Sequence, residues 1–345
     1  MESFFSKAER KLHYIFWNRL RPGGWSKWLY AAEWKAAFSG GEKDAKEACS
    51  GENSLYLTAL PNPGAGVGHQ LGNWLAGLHF AKAFGLPYAH IPLTGGEWEA
   101  FLGLGECYPA VAKLKGQGYK IRKLPRFDEG DTQLINHIKE LIRCYNGEKI
   151  IFRLERDQFC RDLFEETEEF RSAFRNAAAR KRDPELIWKK DPGLHAAMHI
   201  RRGDVGGARP VAGYEQRWMS GSYYRSVYEL LIKLCPGLRF YVFTEGGEQD
   251  FPELSGLPGL TFTGNVSARE TFLHFVKADI LVSAKSSFSY KPALLSEGLK
   301  LSPADFWHGV PDTPDFVLMD NTGAPLEGQT DKILAFLRTK NGEMP

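Results

Sequence analysis

The chain has 345 residues, 43% of them hydrophobic and 25% charged, which suits one large domain or two of ordinary size and excludes a mainly disordered chain. Its 44 basic and 42 acidic residues leave a net charge of +2, so no overall field points to a nucleic-acid partner. Five cysteines (Cys49, Cys107, Cys144, Cys160 and Cys235) are scattered without a CxxC pair, which reads as reduced thiols and not as a disulfide framework.

Residues 1–40 differ from the rest. They hold four of the nine tryptophans (Trp17, Trp25, Trp28, Trp34), and seven basic residues against three acidic ones. Phe5, Ala8, Leu12, Ile15 and Phe16 recur at helical spacing, as do Trp25, Trp28, Leu29, Ala32 and Ala36 beyond the Pro22-Gly23-Gly24 break. Two amphipathic helices with aromatic faces and basic flanks are expected. They suit either an interfacial membrane contact or packing on the body or on a second subunit. Lys7, Glu9, Arg10 and Lys11 interrupt any signal-peptide core, and no apolar run is long enough to span a bilayer, so the expected compartment is the cytoplasm.

Gly40–Asn53 reads as a linker, which makes residues 1–53 an extension. Ser54–Leu60 reads as a strand, followed by a glycine-rich turn and a helix through Leu71, Trp74, Leu75, Leu78 and Ala81 that Gly85 closes. Tyr88–Leu93 is expected as the next strand and Lys149–Leu154 as another. Cys160–Arg182 reads as a charged helix stopped by Pro184, within a connection over Arg161–Asp191. The short apolar runs His195–Ile200, Phe240–Phe243, Leu260–Thr263 and Asp279–Ser283 alternate with helical patterns, clearest over Tyr223–Leu234 and Ala268–Lys277. This alternation predicts an α/β fold with a second parallel sheet. The expected lobes are 54–185 and 186–345.

Three motifs could carry chemistry. The first is Gly64-Ala65-Gly66-Val67-Gly68-His69-Gln70-Leu71, a strand-to-helix loop where backbone amides and a helix N-terminus favour an anion. It is neither a P-loop nor the dinucleotide fingerprint, so alone it fits a ligand loop or a tight turn equally. The second, His199-Ile200-Arg201-Arg202-Gly203-Asp204, ends a strand and offers guanidinium forks to a diphosphate. Alternation sends Arg201 and Arg202 to opposite sides, so only one is expected to reach a ligand; the plain alternative is a surface pair of Arg202 with Asp204. The third, Ser286-Ser287-Phe288-Ser289, comes after a buried strand, where hydroxyls either cap a helix or bind phosphate oxygens.

Together, in this order, the motifs resemble the fucosyltransferases that use GDP-fucose, namely the α-1,2 and α-1,6 enzymes and the protein O-fucosyltransferases. The α-1,2 branch is the most similar, through HIRRGD, the Tyr223-Tyr224 pair, the Phe240–Glu245 strand and a segment like SSFSWW. The chain departs from that pattern at His69, at Tyr290-Lys291 and at Glu245-Gly246-Gly247, which leaves acceptor and linkage open. The resemblance implies two facing Rossmann-like lobes (GT-B), with the nucleotide held mainly by the C-terminal one. By position it implies Arg201 on the donor diphosphate, Ser286, Ser287 and Phe288 on phosphate and nucleoside, His199 and Arg202 beside them, and Asp279 near the guanine edge. Gly66, Gly68, His69 and Gln70 then face the donor across the cleft.

No two aspartates are separated by a single residue, so the DxD motif with which many glycosyltransferases hold a metal is absent. Metal-independent, inverting transfer to a glycan or glycolipid hydroxyl is expected, with no cofactor besides the donor and with peripheral membrane contact through residues 1–40 as an open option. Asp204 is the first candidate for the general base, Glu215 the second and His69 the third. Another GDP-sugar, a peptide acceptor, or a non-catalytic nucleotide-sugar-binding subunit are the other readings.

Overall fold

A computed structural model describes residues 55–124, 126–143, 145–155, 158, 160–206 and 215–340. The expected N-terminal helices and linker, Cys49 and Cys144 lie outside the described residues. Among those described, no helix is long and apolar enough to cross a membrane.

The first unit begins with β1 (Leu55–Ala59), the glycine-rich loop and α1 (Val67–Phe84), which Gly85 closes in the left-handed region at φ 68°. There follow α2 (Gly96–Leu102), α3 (Val111–Gly116), β2 (Lys120–Lys123), α4 (Thr132–Arg143) and β3 (Ile150–Leu154). The three strands form a parallel sheet in the order β1-β3-β2. Tyr88–Leu93, expected as a strand, makes only isolated bridges to Leu57 and Ala110. Pro87 and Pro92 flank and interrupt it and remove ladder donors. The expected helix over Cys160–Arg182 is broken into a 3-10 turn, α5 (Thr167–Asn176) and a second 3-10 turn, because Ala177 takes an extended ψ of 132°.

The second unit comprises β4 (His195–Ile200), α6 (Gly203–Gly206), α7 (Gly221–Leu234), β5 (Arg239–Thr244), β6 (Leu260–Phe262), α8 (Ala268–Lys277), β7 (Ile280–Val282), α9 (Ser287–Leu295), β8 (Leu299–Pro303), β9 (Phe316–Met319) and α10 (Thr330–Lys340). All six strands are parallel, in the order β6-β5-β4-β7-β8-β9. Counted from its own first strand this is 3-2-1-4-5-6, the doubly wound order. The chain reverses direction across the sheet between β4 and β7, the switch point at whose carboxyl ends sheets of this kind bind ligands.

Alternation along β4 explains both faces. Ala196, Met198 and Ile200 join one core with α7 and α10, whereas Ala197 faces the other core. That other core is continuous with the first unit. Trp98 and Phe101 of α2 pack edge-on against Phe272 of α8 and, for Trp98, Phe288 of α9, and Phe174 of α5 packs tilted against Phe272.

The backbones meet most closely at Gly68. A Cβ there would stand 2.6 Å from the carbonyl carbon of Ser287. Gly68→Ala is therefore expected to destabilise by about 1–3 kcal/mol, since main chain on both sides must move. Gly66→Ala, with open space around it and φ at −62°, should be near neutral in the same thermal denaturation experiment.

Candidate functional site

Parallel strands carry the second and third motifs to the same edge of the large sheet. Arg201 leaves the tip of β4, and Ser286 lies just beyond β7, its immediate neighbour. Arg201 donates from Nε and Nη2 to the two carboxylate oxygens of Asp204, at 3.0 and 2.7 Å, and from Nη1 to Ser286 Oγ at 3.4 Å. Ser286 Oγ also caps α9 by accepting from Phe288 N–H at 3.2 Å. The first motif arrives from the other unit, with Gly68 against Ser287 and Phe288. Two helix N-termini, those of α1 and α9, thus converge beside a fixed guanidinium. This is a favourable place for a multiply charged anion.

A cavity of about 290 Å³ opens next to this point, beyond the carboxyl ends of β4, β5 and β6. His199, Phe243, Thr244, Thr263, Val266 and Phe288 line it. His199 is 5% exposed, its ring 5.2 Å from Phe275 and 5.8 Å from Phe288. Burial, reinforced by the charge of Arg201, pushes its pKa down to about 3, so the ring is neutral. Among the described residues, His199 Nδ1 and Thr244 Oγ1 are buried without a hydrogen-bond partner. Thr244 and Thr263 escaped the sequence analysis as site residues, although Thr244 closes β5 and Thr263 directly follows β6 at its carboxyl end, where that rule could have found them. A larger cavity of about 650 Å³ lies to one side, between α2, the second 3-10 turn and the start of α8. It holds none of the three motifs.

Several expected residues stand elsewhere or act differently. Arg202 turns away from the crevice, with its guanidinium 3.9 Å from the centre of the Trp218 ring and 4.9 Å from that of Phe251. Its backbone N–H donates to Glu245 at 2.8 Å. Asp204 pairs with Arg201 and not with Arg202. The Arg201 fork holds its carboxyl below the usual range and occupies both oxygens, which suits a residue that orients Arg201 and disfavours a general base. Asp279 does not join the site: it precedes β7, at the opposite edge of the sheet, where it accepts from His195 N–H at 3.1 Å and Lys340 Nζ at 2.9 Å. A parallel sheet sends the two ends of a strand to opposite edges, so Asp279 and Ser286 stand at opposite ends of β7. Gln70 pins the first loop by accepting from Thr94 N–H at 2.8 Å and donating to Ala65 O at 2.9 Å. His69 is half-buried and bonded to Asn62 at 3.1 Å. Glu215 opens a 3-10 turn, and its side chain lies outside the described residues.

One His/Glu cluster among the described residues has metal-ligand spacing: His79, Glu165 and Glu166. Lys82 already neutralises Glu166 at 2.6 Å, and the hydrogen bond to Glu166 raises the His79 pKa, which favours the protonated ring over a ligand.

The sequence matches no family model and no curated protein. Among solved structures it is similar to NodZ alpha-1,6-fucosyltransferase soaked with GDP-fucose, at 14% identity and a TM-score of 0.41, over 70% of this chain and 92% of that one. It is also similar to POFUT1 in complex with GDP, at 12% identity and a TM-score of 0.41, over 70% and 95%. A third similarity is to E. coli heptosyltransferase WaaC with ADP-2-deoxy-2-fluoro heptose, at 11% identity and a TM-score of 0.39, over 84% and 99%.

The buried neutral His199 fixes the sign of a pH effect. Below 6.5 the unfolded chain takes up a proton that the folded one refuses until about pH 3, so stability should fall as pH drops through that window. The slope from this group is at most about 1.4 kcal/mol per pH unit. Denaturant midpoints measured between the two pH limits should fall less steeply for His199→Gln than for the wild type.

Proposed function

We propose that the chain is a glycosyltransferase that moves fucose from GDP-fucose to a glycan hydroxyl, with inversion at the anomeric carbon and without a metal ion. The observation that carries this reading is the approach of Arg201 to Ser286 at the switch point of a parallel sheet, 3.4 Å apart, with two helix N-termini alongside. Breaking the sugar–phosphate bond builds negative charge on the departing diphosphate. A guanidinium already held by Asp204, together with helix N-terminal amides, meets that charge without having to reorganise. The absence of a DxD motif leaves this task to Arg201 and the backbone.

The cavity beside His199 has the size and mixed lining that a nucleoside needs, and its two unpartnered polar atoms offer hydrogen bonds to it. With Asp204 committed to Arg201, the base role passes to His69, which comes directly after Gly68 in the first turn of α1, where Gly68 meets Ser287; Glu215 stands second. Residues 54–185 then supply the acceptor side and 186–345 the nucleotide side. The α-1,2 linkage, the cytoplasmic setting and a peripheral membrane contact through residues 1–40 belong to the same proposal, on the strength of the sequence motifs.

Arg201→Ala should lower kcat/KM by about a hundredfold or more, as loss of one charge-stabilising donor does. Arg202→Ala should keep GDP affinity and cost about 1–2 kcal/mol of stability through the lost ring contacts. Calorimetry with GDP and a transfer assay over a panel of nucleotide sugars separate the outcomes. Preference for GDP-mannose would overturn the donor, and absence of GDP binding would overturn the whole reading. Chelation with EDTA should leave the rate unchanged; a collapse that manganese rescues would refute the metal-free mechanism.

A further inference from the structure

The larger cavity, of about 650 Å³, lies where the two units meet. One wall comes from α2, the second 3-10 turn and the residues just after it, all within 54–185. The other wall is the start of α8. The volume suits a sizeable ligand, and clefts between units are where such sites commonly form.

Two connections bring this cavity close to the proposed reaction centre. The first runs from the glycine-rich loop. Gln70 accepts from Thr94 N–H at 2.8 Å, and Glu97, a short way further on, lines the cavity. The intervening backbone spans at most about 11 Å, so Glu97 stands within that reach of Thr94. The second connection is the first turn of α8, which both cavities share. Ala268 and Thr271 line the cavity beside His199, whereas Ser267, Arg269 and Glu270 line the larger one. A ligand in the larger cavity therefore lies across one helical turn from the proposed nucleoside position.

The lining decides what kind of molecule fits. Among the described residues, the carboxylates of Glu97, Glu106, Asp183 and Glu270 stand with the guanidiniums of Arg182 and Arg269. The acidic excess opposes a polyanion, and so many charged groups oppose an apolar ligand. Most of these charges are already held in place. Arg269 Nε lies 3.6 Å from a Glu97 oxygen, Glu270 accepts from Ser267 Oγ at 2.7 Å, and Asp183 accepts from Arg180 at 3.2 Å. Arg180 also donates to Phe101 O at 2.6 Å, which ties this rim to α2. A carboxylate has about four acceptor positions, so each keeps room for a hydroxyl donor. The guanidiniums supply N–H groups to ring and hydroxyl oxygens. An uncharged, polyhydroxylated chain uses both kinds of group and brings no charge of its own to desolvate.

We propose that this cavity holds the distal sugars of an oligosaccharide acceptor, the units beyond the one that receives fucose. This rests on the nucleotide-sugar reading of the site. It keeps the acceptor on the side formed mainly by residues 54–185. It also makes acceptor length, and not the terminal sugar alone, a determinant of acceptor choice.

The test uses the full chain with GDP in excess and linear oligosaccharides of increasing length, from a single unit to a tetrasaccharide. Glucose, galactose, mannose and N-acetylglucosamine series are titrated by calorimetry. In at least one series Kd should fall about tenfold or more between the monosaccharide and the trisaccharide. Arg182→Ala removes an exposed donor from the rim and should abolish most of that gain. Ala178→Trp puts a large ring into the cavity from the second 3-10 turn and should abolish all of it. GDP affinity should stay the same in both variants, which also reports that they fold. A gain with length that survives Ala178→Trp overturns the proposal, and so does equal affinity at every length in all series. Failure of every oligosaccharide to bind a chain that binds GDP overturns it as well. A chain that ignores GDP, yet shows a length gain that Ala178→Trp removes, would uphold the cavity and sink the donor reading.

Discussion

The approach of Arg201 to Ser286 depends on two strand tips being neighbours, and most of the remaining structure serves to keep them so. A guanidinium on a free strand end would swing through many rotamers. Here Asp204 takes two of its N–H groups and Ser286 a third, so the charge is fixed before any ligand arrives. A charge fixed in this way interacts with a phosphate at about 4 Å by about 4 kcal/mol in a half-buried setting, several times its worth in open water. The cost of ordering the side chain is met during folding and not during binding.

The second unit alone would leave that charge on an open sheet edge. The aromatic packing of Trp98, Phe101 and Phe174 against Phe272 and Phe288 brings the glycine-rich loop over the same point. Arg180 adds to the seal, its guanidinium 3.9 Å from the ring of Phe174 and 4.4 Å from that of Phe101. Gly68 then allows backbone to touch backbone. The two sheets share a core at this seam, so the crevice has a fixed floor.

The interior also carries charge in unusual places. Lys300 is fully buried but pairs with Asp315, and it donates to Ser296 O at 3.2 Å. Lys291 is equally buried, 4.8 Å from the centre of the Tyr290 ring, and has no hydrogen-bond partner among the described residues. Burial holds its pKa well below the ordinary lysine range. It stands where the resembling enzymes carry tryptophan. The departure therefore replaces aromatic volume with a flexible chain next to the Tyr290–His308 stack.

What the residues alone determine here is local. Alternation and apolar runs define β4, β5 and α8 almost to the residue, because a buried parallel strand and an amphipathic helix leave distinct periods in the sequence. The opposite fates of Arg201 and Arg202 come from the same period. The failures also have local causes. Pro92 reduced a strand to bridges, and Ala177 broke a helix whose composition gave no warning. Only tertiary structure decides which strand tips lie side by side, since hydrogen-bonded strand order joins residues some eighty positions apart. It alone removes Asp279 from the site, turns Asp204 toward Arg201, and brings His199, Thr244 and Thr263 around one cavity. Periodicity encodes which face a residue takes, but neighbours across a sheet are chosen by the packing of the whole chain.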